Sequence, residues 1–418
     1  MLASDVENLC PPSNAPRPKA MGAFGHRDYV LFWIGLLVST AGSWMQTVAL
    51  GWLVYDLTHS PFKLGLVTTA GTVPILLMTL HAGVVADRFD KRRIVILTQT
   101  LLTVQASILA ALALSHIIQV WHILVLAAFA GLINAFDMPA RQAMTIELVG
   151  REDLLSAVSL NSSAFNVSRI VGPSIAGIIV AKSSEGVCFL VNAISFLAII
   201  VMLLVIRTMP ARGSSRQESM LAQIRQGLVY VRRSQLMLNL LFLTGAGSLF
   251  VLQYNTLMPA LARKVLGLGV TGYGTLMSMA GLGAGTAALS VAALGHLFKR
   301  GKLVVAGATI VPLGLAALAL SNSYGLSLAC VAVTGFGMML FLAVSNSLLQ
   351  AESPEELRGR VLSVRTLVFM GLAPAGALLA GTLAQYYGVR PAILIGAGVF
   401  LFISSAIALA SPALRSLE

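Results

Sequence analysis

Asn134, Asp137 and Arg141 stand three and four residues apart inside a stretch, 121 to 147, that is otherwise almost free of charge. In a helix those spacings put all three side chains on one face, and Pro139 between them loosens the backbone. Asp137 and Arg141, at i and i+4, have two readings. They can simply neutralise each other as an ion pair. Alternatively Asp137, released from arginine in one conformation, can take up or discharge a proton. Arg169 is embedded in a second apolar stretch. It can hold an anionic substrate group or pair with Asp137 across helices. Charges placed inside apolar helices are expensive, so each of these should face a partner or a watery cavity.

The elements that must position them are transmembrane helices. The chain is 57% hydrophobic and 11% charged, with a mean hydropathy of +0.86, outside the range of a soluble domain. A bilayer core needs roughly 20 apolar residues per helix. Twelve such runs occur, near 30 to 55, 64 to 85, 94 to 116, 121 to 147, 154 to 181, 187 to 206, 236 to 262, 271 to 297, 302 to 320, 324 to 351, 361 to 386 and 390 to 411. They are too long and too rarely alternating for barrel strands, so the fold class is an all-α membrane protein.

Residues 207–235 form the one long hydrophilic interval and divide the helices six and six. The expected organisation is a cytoplasmic tail over 1–29, a six-helix bundle over 30–206, a linker over 207–235, a second bundle over 236–411 and a short tail over 412–418. Within the linker, Leu221, Ile224, Leu228 and Val231 have the spacing of an amphipathic helix on the membrane surface; a solvated connector is the alternative. With both termini on one side, 22 of the 28 Lys and Arg fall on that side and 5 on the other. The positive-inside rule then places both termini in the cytoplasm and accounts for the net charge of +12 without nucleic acid. "TAGS" at 40 to 43 is echoed by "GAGS" at 245 to 248, weak internal symmetry of the kind that puts a transporter's substrate site between its halves.

The sharpest motif is "GVVADRFDKRR", 83 to 93, which crowds two acids and four bases between the second and third helices. Basic residues hold such a turn on the inner side. Asp87 either caps its own turn or faces an arginine or the positive N-terminus of another helix. This loop resembles the signature of the major facilitator superfamily, with Gly83, Asp87, Arg88, Lys91, Arg92 and Arg93 at the matching positions and Asp90 where a second glycine usually stands. The resemblance implies two pseudo-symmetric six-helix bundles and alternating access. It also implies a latch in which Asp87 meets the start of the eleventh helix, near Arg358, Arg360 or Arg365, in the outward-open state.

Residues 135 to 177, "AFDMPARQAMTIELVGREDLLSAVSLNSSAFNVSRIVGPSIAG", and "VALGWLVYDLTHSP" at 48 to 61 resemble the branch of bacterial enterobactin-type siderophore exporters and macrolide or drug efflux proteins. Gly172, Pro173 and Gly177 resemble the core of the antiporter motif, in which small residues and a proline let two helices pack closely and bend. The superfamily lines its cavity with helices one, four, seven and ten. On these the polar and aromatic candidates are Trp44, Gln46, Gln253, Tyr254, Asn255, Asn346 and Gln350.

The function implied is export of a small amphipathic molecule, siderophore or drug-like, across a bacterial inner membrane, with protons as the coupling partner and a monomer as the working unit. A lysophospholipid flippase of the same fold is the alternative. No GxxxxGK[ST], HExxH or GxSxG motif is present, and Cys10, Cys188 and Cys330 lack metal spacing. An enzyme, a cofactor and a metal site are therefore not expected.

Overall fold

The computed structural model describes residues 22–150, 152–206 and 220–411. The first 21 residues, with Cys10, the linker segment 207–219 and the C-terminal tail 412–418 lie outside the described residues. Among the described residues, twelve helices are long and apolar enough to span a bilayer. We number them with the linker helix included: α1 (Arg27–Thr58), α2 (Pro61–Arg88), α3 (Lys91–Leu114), α4 (Val120–Val149), α5 (Leu154–Lys182), α6 (Glu185–Val205), α7 (Met220–Arg233), α8 (Gln235–Val265), α9 (Val270–Leu294), α10 (Arg300–Leu320), α11 (Tyr324–Ala351), α12 (Glu355–Tyr387) and α13 (Val389–Ala410). The helix α7 is the linker element, so six spans precede it and six follow.

Local chemistry sets the ends. Ser60 caps α2 by accepting the Lys63 N–H, with Pro61 at the first helical position, and Ser184 and Ser234 cap α6 and α8 in the same way. Asp90 accepts the Arg93 N–H and caps α3. Asp90 therefore has a structural use where the signature carries glycine. Gly388 turns the chain between α12 and α13 at φ 95°, a conformation side chains rarely adopt. Large apolar side chains such as Leu97, Leu289 and Phe402 are exposed all the same, as lipid-facing positions should be.

The N-terminal edge differs from expectation. The composition predicts a tail up to residue 29, yet Gly22–Gly25 form a turn of 3-10 helix and α1 begins at Arg27. This segment is docked on α5: the Ala23 N–H donates to Ser156 Oγ, His26 Nε2 lies 2.9 Å from Asp153 Oδ2, and the Tyr29 hydroxyl donates to Ala157 O.

We call the end that carries Arg88, Lys91 and the start of α12 the base, and the opposite end the far end. The halves meet mainly through α2 on α12 and α5 on α9. Both contacts are glycine seams in the far portions of the helices. A Cβ on Gly65 would sit 2.4 Å from Ala377 O, and one on Gly274 would sit 2.4 Å from Pro173 O. Polar contacts between the halves cluster there too. Ser60 bonds Gln385, Thr69 donates to Pro374 O, Ser174 bonds Ser278, and Asp56 pairs with Arg263. The molecule is thus closed at the far end and opens toward the base.

Candidate functional site

Two connected cavities lie between the halves. The central one, about 450 Å³, is lined by α1 to α6 of the first half and by Asn255, Pro259 and Tyr273 of the second. The other, about 780 Å³, runs toward the base between α1, α4 and α5, with Met339 of α11 at its wall. Ser43, Asn134 and Arg169 line both, so they mark the junction.

The predicted face of α4 is realised. Asn134, Asp137 and Arg141 all line the base-ward cavity. Asp137 is 3% exposed and is held on both oxygens. Thr98 and Gln99 of α3 donate to Oδ1 at 2.6 and 2.9 Å, and Arg141 Nε lies 2.5 Å from Oδ2. The Arg141 N–H is poorly aligned for a hydrogen bond, so this contact is an ion pair first. Gln99 also accepts from Ser39 of α1, which carries the network from α4 through α3 to α1. Low dielectric strengthens such a network and makes each missing partner expensive.

Thr98 and Gln99 are not among the sequence candidates. Their signal is present, two adjacent polar residues inside an apolar helix, but a threonine can satisfy itself on the preceding turn and so gives no warning. The partners of Gln46, Asn192 and Gln105, also escape the sequence reading. Asn192 of α6 donates to Gln46 at 2.7 Å, and Gln46 donates to Gln105 of α3 at 3.4 Å, all beside the central cavity.

Arg169 does not pair with Asp137 here. Among the described residues it has no carboxylate partner; its guanidinium lies 5.8 Å from the centre of the Trp44 ring. Trp44 in turn stacks edge-on against Phe165. Gly172, one turn after Arg169, leaves the room: a Cβ there would come within 2.7 Å of Trp44 Cβ and 2.8 Å of Ala41 O. Gly177 does the corresponding work against Thr271 of α9, and Pro139 and Pro173 both sit inside their helices. With Asp137 and Arg141 cancelling, the charged lining of the two cavities among the described residues sums to one positive charge, on Arg169.

The remaining cavity candidates divide. Trp44, Gln46 and Asn255 line the central cavity. Gln253 and Tyr254 are buried, and Gln253 packs on Gly376 of α12 while donating to Ser248 O. Gln253 and Asn255 lie two residues apart, about 200° around the helix, so only one of them can face the cavity; α8 also contains two π-helical segments, Gly247–Val251 and Leu261–Val265. Asn346 and Gln350 are not in the lining either, and the Gln350 carbonyl accepts from Arg358 Nε at the end of α11.

The latch candidates are not assembled. Asp87 and Arg88 are exposed, and Asp87 forms no ion pair among the described residues; Gly83 is half-buried on α2. Lys91 pairs with Glu147 of α4 at 3.1 Å, and Arg92 donates to the carbonyls of Leu203 and Leu204, closing the end of α6. Much of the basic run therefore binds the first half together at its base. Arg358 and Arg365 bond carbonyls of α11, and the Arg360 backbone packs on Gly227 of α7.

The family description "transmembrane secretion effector" matches residues 19–418. The chain is 26% identical to the staphyloferrin A transporter of Staphylococcus aureus, over 83% of this chain and 87% of that protein. It is 28% identical to the multidrug efflux pump Tap of Mycolicibacterium fortuitum, over 93% of this chain and 97% of the relative. Among solved structures, a bacterial homologue of the human lysosomal transporter Spinster, inward-facing and unoccupied, superposes with a TM-score of 0.75 at 13% identity, covering 93% of this chain and 97% of that one. The nucleoside transporter NupG gives 0.73 at 12% identity, covering 94% and 100%. Twelve spans, the glycine seams between two sets of six and the match over nearly the whole chain lead to one conclusion: the protein is a transporter, not an enzyme, and belongs to the transmembrane secretion effector family of the major facilitator superfamily.

Proposed function

We propose that the protein exports a small amphipathic molecule bearing an anionic group, of the siderophore or drug-like kind, by alternating access with proton antiport. The base is cytoplasmic on this reading, as the excess of Lys and Arg at that end requires, and the described conformation is open to the cytoplasm. The observation that carries the substrate class is Arg169: a guanidinium at the junction of two cavities, steadied by Trp44 and without a carboxylate partner among the described residues. A planar cation of this kind suits a carboxylate, catecholate or sulfonate. The names of relatives, one a siderophore transporter and one a multidrug pump, support the same range.

Asp137 is the proton site on this reading, and the local hydrogen bonds support it. Thr98 Oγ1 has one proton and two acceptors in reach, Asp137 Oδ1 at 2.6 Å and Val95 O at 3.0 Å. While Asp137 is a carboxylate, Thr98 donates to it. A protonated Asp137 would donate to Thr98 Oγ1, and the threonine proton would turn to Val95 O. The bonds to Thr98 and Gln99 survive the arrival of the proton, while Arg141 loses its counter-charge. Arg141 then becomes free to face the cavity.

The test is thermal stability of the purified protein against catecholate and carboxylate siderophores, macrolides, cationic drugs and lysophospholipids, for wild type and Arg169→Ala. A ligand at about a hundred times its Kd adds roughly 2.7 kcal/mol. Stabilisation by anionic compounds that disappears in Arg169→Ala is the expected result. Stabilisation by cations or neutral lipids alone, indifferent to the substitution, would overturn the assignment.

A further inference from the structure

A groove of about 560 Å³ opens between α7 and α12, separate from the cavities described above. Among the described residues every charged side chain lining it is an arginine: Arg225 and Arg233 of α7, and Arg360 of α12. Val229, Tyr230 and Leu357 supply its less polar walls. Arg225, Val229 and Arg233 are four residues apart in turn, so one face of α7 presents them together. The helix is fixed in place through its opposite side. Gly227 is seated on α12 so closely that a Cβ would lie 2.5 Å from Arg360 O, and Val231 is fully buried. The acids of the first α12 turn, Glu355 and Glu356, are exposed and do not line the groove.

Packing alone does not explain this arrangement. Arg225 and Arg233 are exposed, and neither has an ion pair among the described residues. The exposed guanidiniums of Arg225 and Arg233 give the groove a positive potential that attracts an anion seated there. The planar fork of arginine fits the oxygens of a phosphate ester. The groove also lies at the base, beside the first turns of α12, where a spanning helix leaves the bilayer. Basic residues on an amphipathic helix at that level attract acidic lipids.

We propose that this groove binds the phosphate headgroup of an acidic phospholipid, with the acyl chains descending past Val229 and Leu357. Occupied, it joins the linker helix to α12, the helix whose start must approach α2 when the base closes. The site is independent of what the central cavity transports.

Binding is measured on the full-length protein in detergent, titrated with phosphatidic acid or with phosphatidylcholine and followed by thermal stability and native mass spectrometry. Phosphatidic acid should bind and phosphatidylcholine should not. The variant Arg225→Gln/Arg233→Gln should weaken phosphatidic acid binding about tenfold or more, whereas Arg232→Gln/Arg300→Gln, which removes equal charge outside the groove, should change it by less than about twofold. Gly227→Val, which keeps every arginine but wedges α7 from α12, should lose binding as well. Equal loss in both arginine pairs would reduce the effect to general surface charge and overturn the site. Displacement of the lipid by millimolar inorganic phosphate would overturn the lipid assignment in favour of a free phosphate ligand.

Discussion

Arg263 Nη1 of α8 and Asp56 Oδ1 of α1 lie 2.7 Å apart and tie the two halves together across the far end. The same guanidinium sits 5.1 Å from the centre of the Trp52 ring, so a cation–π contact backs the ion pair. Both side chains are 42% exposed, which limits the pair to roughly 0.2–1 kcal/mol. Asp56→Asn should therefore raise the population open at the far end by about fivefold at most. Spin labels at Lys63 and Tyr386 would read it as a longer distance component. Arg263→Ala, which also removes the contact with Trp52, should have the larger effect; equal, unchanged distributions would leave the pair no part in gating.

The glycine seams should matter more than the ion pair. Valine at position 274 would drive its Cβ into Pro173 O, a backbone atom that cannot swing aside. Overpacking of this kind costs about 1–3 kcal/mol. Because the clash exists only while the far end is closed, Gly274→Val should shift the protein toward far-end opening. Gly65→Val should do the same through Ala377 O. Gly398→Val is the control, since nothing lies within 4 Å of its Cβ position. A far-end distance that stays short in Gly274→Val would show that the seam relaxes instead of separating.

The helices are legible in the sequence because their signal is redundant. Twenty apolar residues in a row can do little else in a bilayer, and local caps such as Ser60-Pro61 and Asp90 fix the edges. The face of α4 is legible for the same reason, since the spacing of Asn134, Asp137 and Arg141 is a property of one helix. What one helix cannot reveal is its neighbour. Thr98 and Gln99 reach Asp137 only because α3 packs beside α4. Its polar side chain makes Gln253 a cavity candidate, but two residues from Asn255 it points to the other side of α8 and packs on Gly376. The signature loop reads as one latch, whereas Lys91 and Arg92 hold α4 and α6 while Asp87 stands exposed.

Asp137 and Arg141 should be strongly coupled. Arg141→Met leaves a buried carboxylate with only Thr98 and Gln99 beside it, and removing one partner of a buried pair costs roughly 3–5 kcal/mol. Asp137→Asn keeps an acceptor for Thr98 but leaves Arg141 unpaired against the wall of the cavity. The double variant removes both charges, so its loss of thermal stability should be smaller than the sum of the two single losses by about 1–3 kcal/mol. Additive losses would mean that the pair is formed too weakly to hold the base of α4.

Asp87→Asn should act only through a conformation other than the one described. With the base open Asp87 is exposed and forms no ion pair among the described residues, so the substitution removes nothing there. If α12 approaches α2 when the base closes, the carboxylate gains the positive helix start or an arginine, an interaction worth about 1–2 kcal/mol. A change that weakens one conformation and spares the other moves the population by its full differential energy, here about 5- to 30-fold toward the open base. Labels at Arg88 and Glu355 should show the long distance gaining weight. In combination with Gly274→Val, which favours far-end opening, the two shifts should oppose and partly cancel, their energies summing with opposite sign because the sites lie at opposite ends of the molecule and share no partner. Asp87→Asn with an unaltered base distance would return Asp87 to the role of a residue that merely ends its own helix.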